Sequence, residues 1–173
     1  QLLKCAKLAI KSGSSLEELK ELKSRHTKTI RVLVKSKKLQ SEALSYIENL
    51  FQELTSVLDK IQKEKSVSDK NLDLVASFGE RLSAYIVAAH LKGLSALSRA
   101  EWARPELAEW VDARELVKTD DNFVNAAVDF NKTNKKIKNF FDKKQEDKKT
   151  KNLIPIITGF LGSTDKNETA TLG

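Results

Sequence analysis

Three places in the chain put chemically useful residues where a ligand can reach them. In "SFGERLSA", residues 77–84, Gly79 and Glu80 stand directly before a strongly apolar run. A bare carboxylate there has two uses. It pairs with a cationic group on a ligand through a directional, charge-assisted contact. Alternatively it offsets the positive end of a helix macrodipole, an effect under about 1 kcal/mol. The residue pattern leaves both open. "AEWVDAR", 108–114, carries Trp110 and Val111 ahead of Asp112, and "LIPIITGFLG", 153–162, ends a β-branched run on Gly159, Phe160 and Gly162. Ligands of open α/β sheets bind outside the carboxyl ends of the strands, and glycines there admit a ligand to the backbone amides. Asp112 falls under the same rule but reads as a structural turn residue.

The elements that must position these groups follow from apolar periodicity. Residues 1–11 read as a helix closed by Gly13. The next segment opens with a capping box (Ser14 or Ser15 with Glu17 or Glu18) and repeats Leu16, Leu19, Leu22, Ile30 and Leu33 at helical spacing. A third helix carries the stripe Ala43, Ile47, Leu50, Leu54, Val57 and Ile61, widened by Leu44, Phe51 and Leu58. Ser68 or Asp69 is placed to cap a long helix from Leu72 to about Leu91. Beyond it the period changes. Residues 108–114 read as a strand, 122–141 as a helix with Phe123, Ala126, Ala127, Phe130, Ile137 and Phe140 on one face, and 153–162 as a buried parallel strand. This order predicts an α/β chain in which a helix-rich first half (1–66) leads into an α/β portion (67–173) with a partial parallel sheet. The strand at 153–160 is expected to be buried between helices, with its C-terminal end and Glu80 facing one cleft. Residues 142–151 are expected to be exposed and mobile.

At 173 residues, with 40% hydrophobic and 32% charged side chains, the chain suits one globular domain with a real core. No run approaches the roughly 20 apolar residues of a membrane span. One cysteine, Cys5, lies among Leu2, Leu3, Ala6 and Leu8 and reads as an inert core thiol in a reducing, cytoplasmic protein. The net charge of +7 invites a nucleic-acid reading, yet residues 131–151 alone hold nine lysines against three acids. Arginine is absent from that stretch, so a solvated helix end is expected and no nucleic-acid partner. The competing reading, a basic helical module that binds nucleic acid or a protein, requires binding that weakens steeply with salt. His26, between charged neighbours, reads as a boundary residue. "AEWAR" at 100–104 nearly repeats 108–114 and reads as part of an elongated connection. With no methionine, a start inside a helical pattern and an end at "TATLG", the sequence is expected to be an internal piece of a longer protein. Signature motifs for P-loop, dinucleotide, nucleophile-elbow and zinc-protease sites are missing.

Taken in order, "VASFGERLSAYIVAAHL", "WVDARELVKTDDNF" and "IPIITGFLGSTDKNETATLG" resemble the catalytic domain of aspartokinase, a member of the amino-acid kinase superfamily. "QLLKCAKLA" is similar to the helix after that family's second strand, which extends the resemblance over 1–173. The resemblance implies an incomplete αβα-layered domain of the amino-acid-kinase type. It implies an enzyme that transfers the γ-phosphoryl group of ATP to the β-carboxylate of L-aspartate, in the synthesis of lysine, threonine and methionine. The family's KFGGTS and RGGSD segments are not in the sequence, so the chain alone is expected to be inactive and to hold no catalytic residue, metal or cofactor. Glu80 takes the family's role of binding the substrate aspartate, with Gly159, Phe160 and Thr171 in the same pocket and Gly79 and Ser83 supporting it. ATP with Mg2+ and L-aspartate are the implied ligands of the complete enzyme, and homo-oligomerisation is implied through parts outside the chain. Two departures stand out: Asn167 and Ala170 interrupt the family's glycine-and-threonine pattern before Leu-Gly, and 95–109 is long. Another superfamily member with a different carboxylate or phosphate acceptor is the nearest alternative.

Overall fold

A computed structural model describes residues 1–11, 15–94, 108–147, 150 and 153–173. Four helices come first: α1 (Leu2–Lys11), α2 (Ser15–Leu33), α3 (Lys37–Glu64) and α4 (Asp69–Leu94). The proposed cap glycine Gly13 and Ser14 lie outside the described residues, as does the first copy of the near-repeat at 100–104. α3 starts where Ser36 Oγ accepts the Leu39 N–H and stops where Lys65 turns left-handed at φ 50°. Its stripe is buried as the spacing requires, with Ile47, Leu54 and Ile61 at 1% exposure or less. Ser68 caps α4 by accepting the Asn71 N–H at 3.3 Å. Leu19, Leu22 and Ile30 of α2, Cys5 of α1 and Phe78 of α4 complete one core. The Cys5 thiol has no exposure, and burial pushes its pKa up.

α4 is the shared wall. One side packs on α1 and α3; the other meets the strands β1 (Ala108–Val111), β2 (Ile154–Ile157) and β4 (Thr169–Thr171). β1 and β2 pair in parallel, Trp110 opposite Ile156. β3 (Leu161–Ser163) and β4 pair antiparallel, Gly162 opposite Ala170. Tyr46 of α3 stacks on Tyr85 of α4 at 3.7 Å between ring centroids, and Trp110 meets both edge-on. That cluster fastens β1 to the helices, and burial pushes the Tyr46 hydroxyl pKa up to about 12. The chain is α/β, helix-rich in its first half, with a small parallel sheet. No helix among the described residues is long and apolar enough to cross a membrane.

Four expectations need correction. The strand at 108–114 is only 108–111, because Asp112 caps the short helix α5 (Ala113–Leu116) and ends the extended backbone. The expected helix at 122–141 begins at α6 (Phe130–Glu146), capped by Asp129, and runs past its expected end. Residues 119–128 are instead an irregular loop: Asp120 Oδ1 accepts the Ala127 N–H at 3.0 Å, and Thr119 bridges to Val128. Hydrogen bonds to nearby side chains compete here with helix formation, so Phe123, Ala126 and Ala127 leave the helical face, and Phe130 is 69% exposed. The run 153–162 breaks into β2 and β3, because Phe160 adopts φ 61°. Nor is β2 buried between helices. Ile154 and Ile157 are 49% and 43% exposed, since β1 is its one strand partner among the described residues.

Gly162 is where β3 passes closest to its neighbour. A Cβ there would lie 2.6 Å from Thr119 Cγ2 and 3.2 Å from the Val117 carbonyl oxygen. Backbone cannot yield as a side chain can, so Gly162→Ala is expected to lose about 1–3 kcal/mol. Urea unfolding measures it: the midpoint falls with the slope unchanged.

Candidate substrate site

The parallel strands end on a hydrogen-bonded step. Thr158 N–H donates to the Val111 carbonyl at 3.1 Å, and Thr158 Oγ1 accepts the Ala113 N–H at 2.8 Å. The two strand ends are thereby locked side by side, and the turn 158–160 projects from them. Thr158 is buried, whereas Gly159 and Phe160 are exposed. Leu172 N–H donates to the Phe160 carbonyl at 3.1 Å and holds that residue in the left-handed region, an unfavourable place for a bulky side chain.

Glu80 faces this turn from α4. Its Oε2 lies 3.3 Å from where a Cβ on Gly159 would be, so any larger residue at 159 would crowd the carboxylate. Among the described residues the carboxylate has no hydrogen-bond or ion-pair partner. It also sits far inside a helix that begins at Asp69, which removes the helix-terminus explanation for it. The Glu80 carboxylate and Gly159 are therefore neighbours at the turn that follows β2.

The other expected pocket residues are placed differently. Gly79 turns toward α1, where a Cβ would stand 3.4 Å from Leu2 Cδ1. Its small size serves helix packing beside an apolar cleft of about 400 Å³ lined by Leu2, His26 and Leu82. Ser83 is exposed and donates to the Glu80 backbone carbonyl at 3.2 Å. Thr171 is 4% exposed, and its hydroxyl hydrogen is committed to Asp73 at 2.5 Å.

Sequence reading missed three polar residues that build the surroundings. Asp73, 2% exposed, accepts the N–H groups of Val124 and Thr171, each at 2.9 Å, besides the Thr171 hydroxyl. Arg114 forks onto Asp112, with contacts of 2.6–3.0 Å, and donates to Thr169 Oγ1 at 2.9 Å. Burial works against the Arg114 charge, but the Asp112 carboxylate outweighs it and raises the guanidinium pKa. Asp112 is thus structural, as its turn position implies. Lys118, 8% exposed, donates to Ser163 Oγ, the Thr164 carbonyl and Asn167 Oδ1 at 2.9–3.0 Å, and burial lowers its pKa. The only sequence signal for Asp73 was its spacing, seven residues before Glu80 and so on nearly the same helical face. Lys118 and Arg114 carried none.

No family model matches the chain. The chloroplastic aspartokinase 1 of Arabidopsis thaliana is 29% identical over 169 residues, which is 97% of this chain and 26% of the relative. Escherichia coli aspartokinase III, solved in complex with aspartate and ADP in the R-state, has the same fold with a TM-score of 0.73 at 20% identity. Its complex with lysine and aspartate in the T-state gives 0.75, also at 20% identity. The chain resembles aspartokinase. It aligns with 100% and 99% of its own length to those structures but with 35% and 34% of theirs. It therefore spans about a quarter of the curated relative and about a third of the solved chains. One aspartokinase-pattern departure has a local reason: Asn167 stands at φ 60°, a left-handed conformation that glycine enters freely and asparagine tolerates.

The step between the strand ends gives a direct test. Thr158→Val keeps the side-chain shape but leaves the buried Ala113 N–H without an acceptor, costing about 1–3 kcal/mol. Thermal unfolding should show a lower Tm, and an unchanged Tm would count against the Thr158–Ala113 contact.

Proposed function

We propose that this chain is part of the catalytic domain of an aspartate kinase, contributing the pocket for the amino-acid substrate. The observation that carries the reading is Glu80: a carboxylate without a partner among the described residues, held against the glycine at a strand's C-terminal end, in a chain that resembles aspartokinase over nearly its whole length. A carboxylate so placed pairs with the α-ammonium of L-aspartate. Gly159 leaves the space for the amino acid, and the backbone at Gly159 and Phe160 lines its approach. With the ammonium fixed, the β-carboxylate is oriented toward the phosphoryl donor. Such transfer depends on in-line placement and charge neutralisation more than on covalent participation by the protein.

ATP with Mg2+ would supply the phosphoryl group in the complete enzyme. Among the described residues no three carboxylate, histidine or cysteine side chains converge as a metal site. On this reading the ion and the phosphates are held by parts of the complete enzyme beyond the quarter of the curated relative that this chain spans. The same reading makes assembly into oligomers a property of those segments, and a single cysteine is consistent with a cytoplasmic setting.

Two outcomes test the proposal. The 173-residue chain by itself should give no turnover in a coupled ADP-release assay, since positioning of the phosphates supplies most of this catalysis. In the full-length enzyme, Glu80→Ala removes a charge-assisted contact of roughly 1.5–3 kcal/mol. The KM for aspartate should rise by about one to two orders of magnitude, with the KM for ATP little changed. Steady-state kinetics on both substrates decide it, and an unchanged aspartate KM refutes the role of Glu80.

A further inference from the structure

Asp73 and Glu80 lie seven residues apart on α4, two turns along nearly the same face. The first is almost wholly buried; the second is half-buried, with its carboxylate beside Gly159. Asp73 Oδ2 accepts two backbone N–H groups, from Val124 and Thr171, and Oδ1 accepts the Thr171 hydroxyl. These donors come from two different segments, so one carboxylate ties helix, loop and β4 together.

Both segments need holding. Val124 is β-branched and stands at φ 72°, a conformation such residues avoid. The loop and β4 are then laced to each other. Ala126 N–H donates to the Thr171 carbonyl at 3.0 Å, Ala126 bridges to Leu172, and a side chain at Gly173 would run into Asn125. The residue that follows β4 reaches the 159–160 turn, because Leu172 N–H donates to the Phe160 carbonyl. A continuous path therefore runs from the Asp73 carboxylate through Thr171 and Leu172 to the Gly159–Phe160 turn. Glu80 confronts that same turn from the helix that carries Asp73. The gap between Glu80 and Gly159 is set at one end by α4 and at the other by this path.

We propose that Asp73 is a positioning residue of the amino-acid pocket: by fixing β4 to α4 it sets the separation between Glu80 and the 159–160 turn, and so sets affinity for the amino acid rather than for the nucleotide. This rests on the substrate role proposed above for Glu80. A carboxylate serving only to hold the fold together would affect the amount of folded enzyme and its Tm. It would leave the affinity of the folded fraction unchanged.

The test uses the full-length enzyme and L-aspartate, with Kd by calorimetry, KM for both substrates and Tm. Asp73→Asn is nearly isosteric but has one acceptor oxygen where three donors converge. It should weaken aspartate binding about three- to tenfold, and Asp73→Ala more than about tenfold, with the ATP KM within about twofold in both. Lys70→Ala removes the exposed Lys70–Glu168 pair between the same helix and hairpin and should leave aspartate Kd within about twofold. If Asp73→Ala does not fold, Asp73→Asn alone decides. An aspartate Kd unchanged in Asp73→Asn, while Glu80→Ala weakens it, overturns the positioning role. So does a loss in Lys70→Ala equal to that in Asp73→Asn, because any loosening of the contact would then suffice. If Glu80→Ala itself leaves Kd unchanged, the pocket reading fails and the role of Asp73 fails with it.

Discussion

A carboxylate buried to 2% exposure must be met by donors, since leaving it unpaired in a low-dielectric interior is prohibitive. Asp73 finds its three donors 51 and 98 residues away along the chain. That constraint joins the two halves of the structure. The helical core of α1–α4 closes mainly by apolar burial, which is non-directional, with the Arg81–Glu53 fork joining α4 to α3. The strand side has little apolar surface of its own, with short strands and an irregular loop. Its placement against α4 rests on the Tyr46–Tyr85–Trp110 cluster and on the contacts of Asp73 with Val124 and Thr171, while Thr158 to Ala113 and Leu172 to Phe160 tie the strand side together.

The positive charge of the chain is handled in two ways. Arg81, 6% exposed, is forked by Glu53 at 2.7 and 3.0 Å, and Arg114 by Asp112. Lys118 instead relies on neutral oxygens of the 163–167 turn, which hydrogen-bond the ammonium but do not neutralise it. The lysines of α6 meet surface carboxylates, Lys132 with Asp165, Lys138 with Asp142 and Lys144 with Glu109. Exposed pairs of this kind contribute little to stability. Over α6 the basic stretch is thus a solvated helix with its charge partly paired.

The sequence by itself determined the helical half and the α/β class, and it singled out Glu80 and Gly159, which the fold brings side by side. Periodicity specifies which face of α3 is buried because burial depends only on side-chain type and the 3.6-residue repeat. The motif order carried the aspartokinase likeness because each motif is a short local pattern legible without the fold. Tertiary structure alone decided the rest. Whether 122–129 became helix rested on where its N–H groups found acceptors, and one acceptor, Asp73, lies on a different element. Whether Gly79 served the pocket or helix packing rested on α1 crossing α4 at that point. Whether Thr171 kept a free hydroxyl hydrogen rested on a carboxylate 98 residues away. Local pattern encodes what a segment prefers, but a polar contact between distant segments has no local signature, so these assignments existed only once the chain had folded.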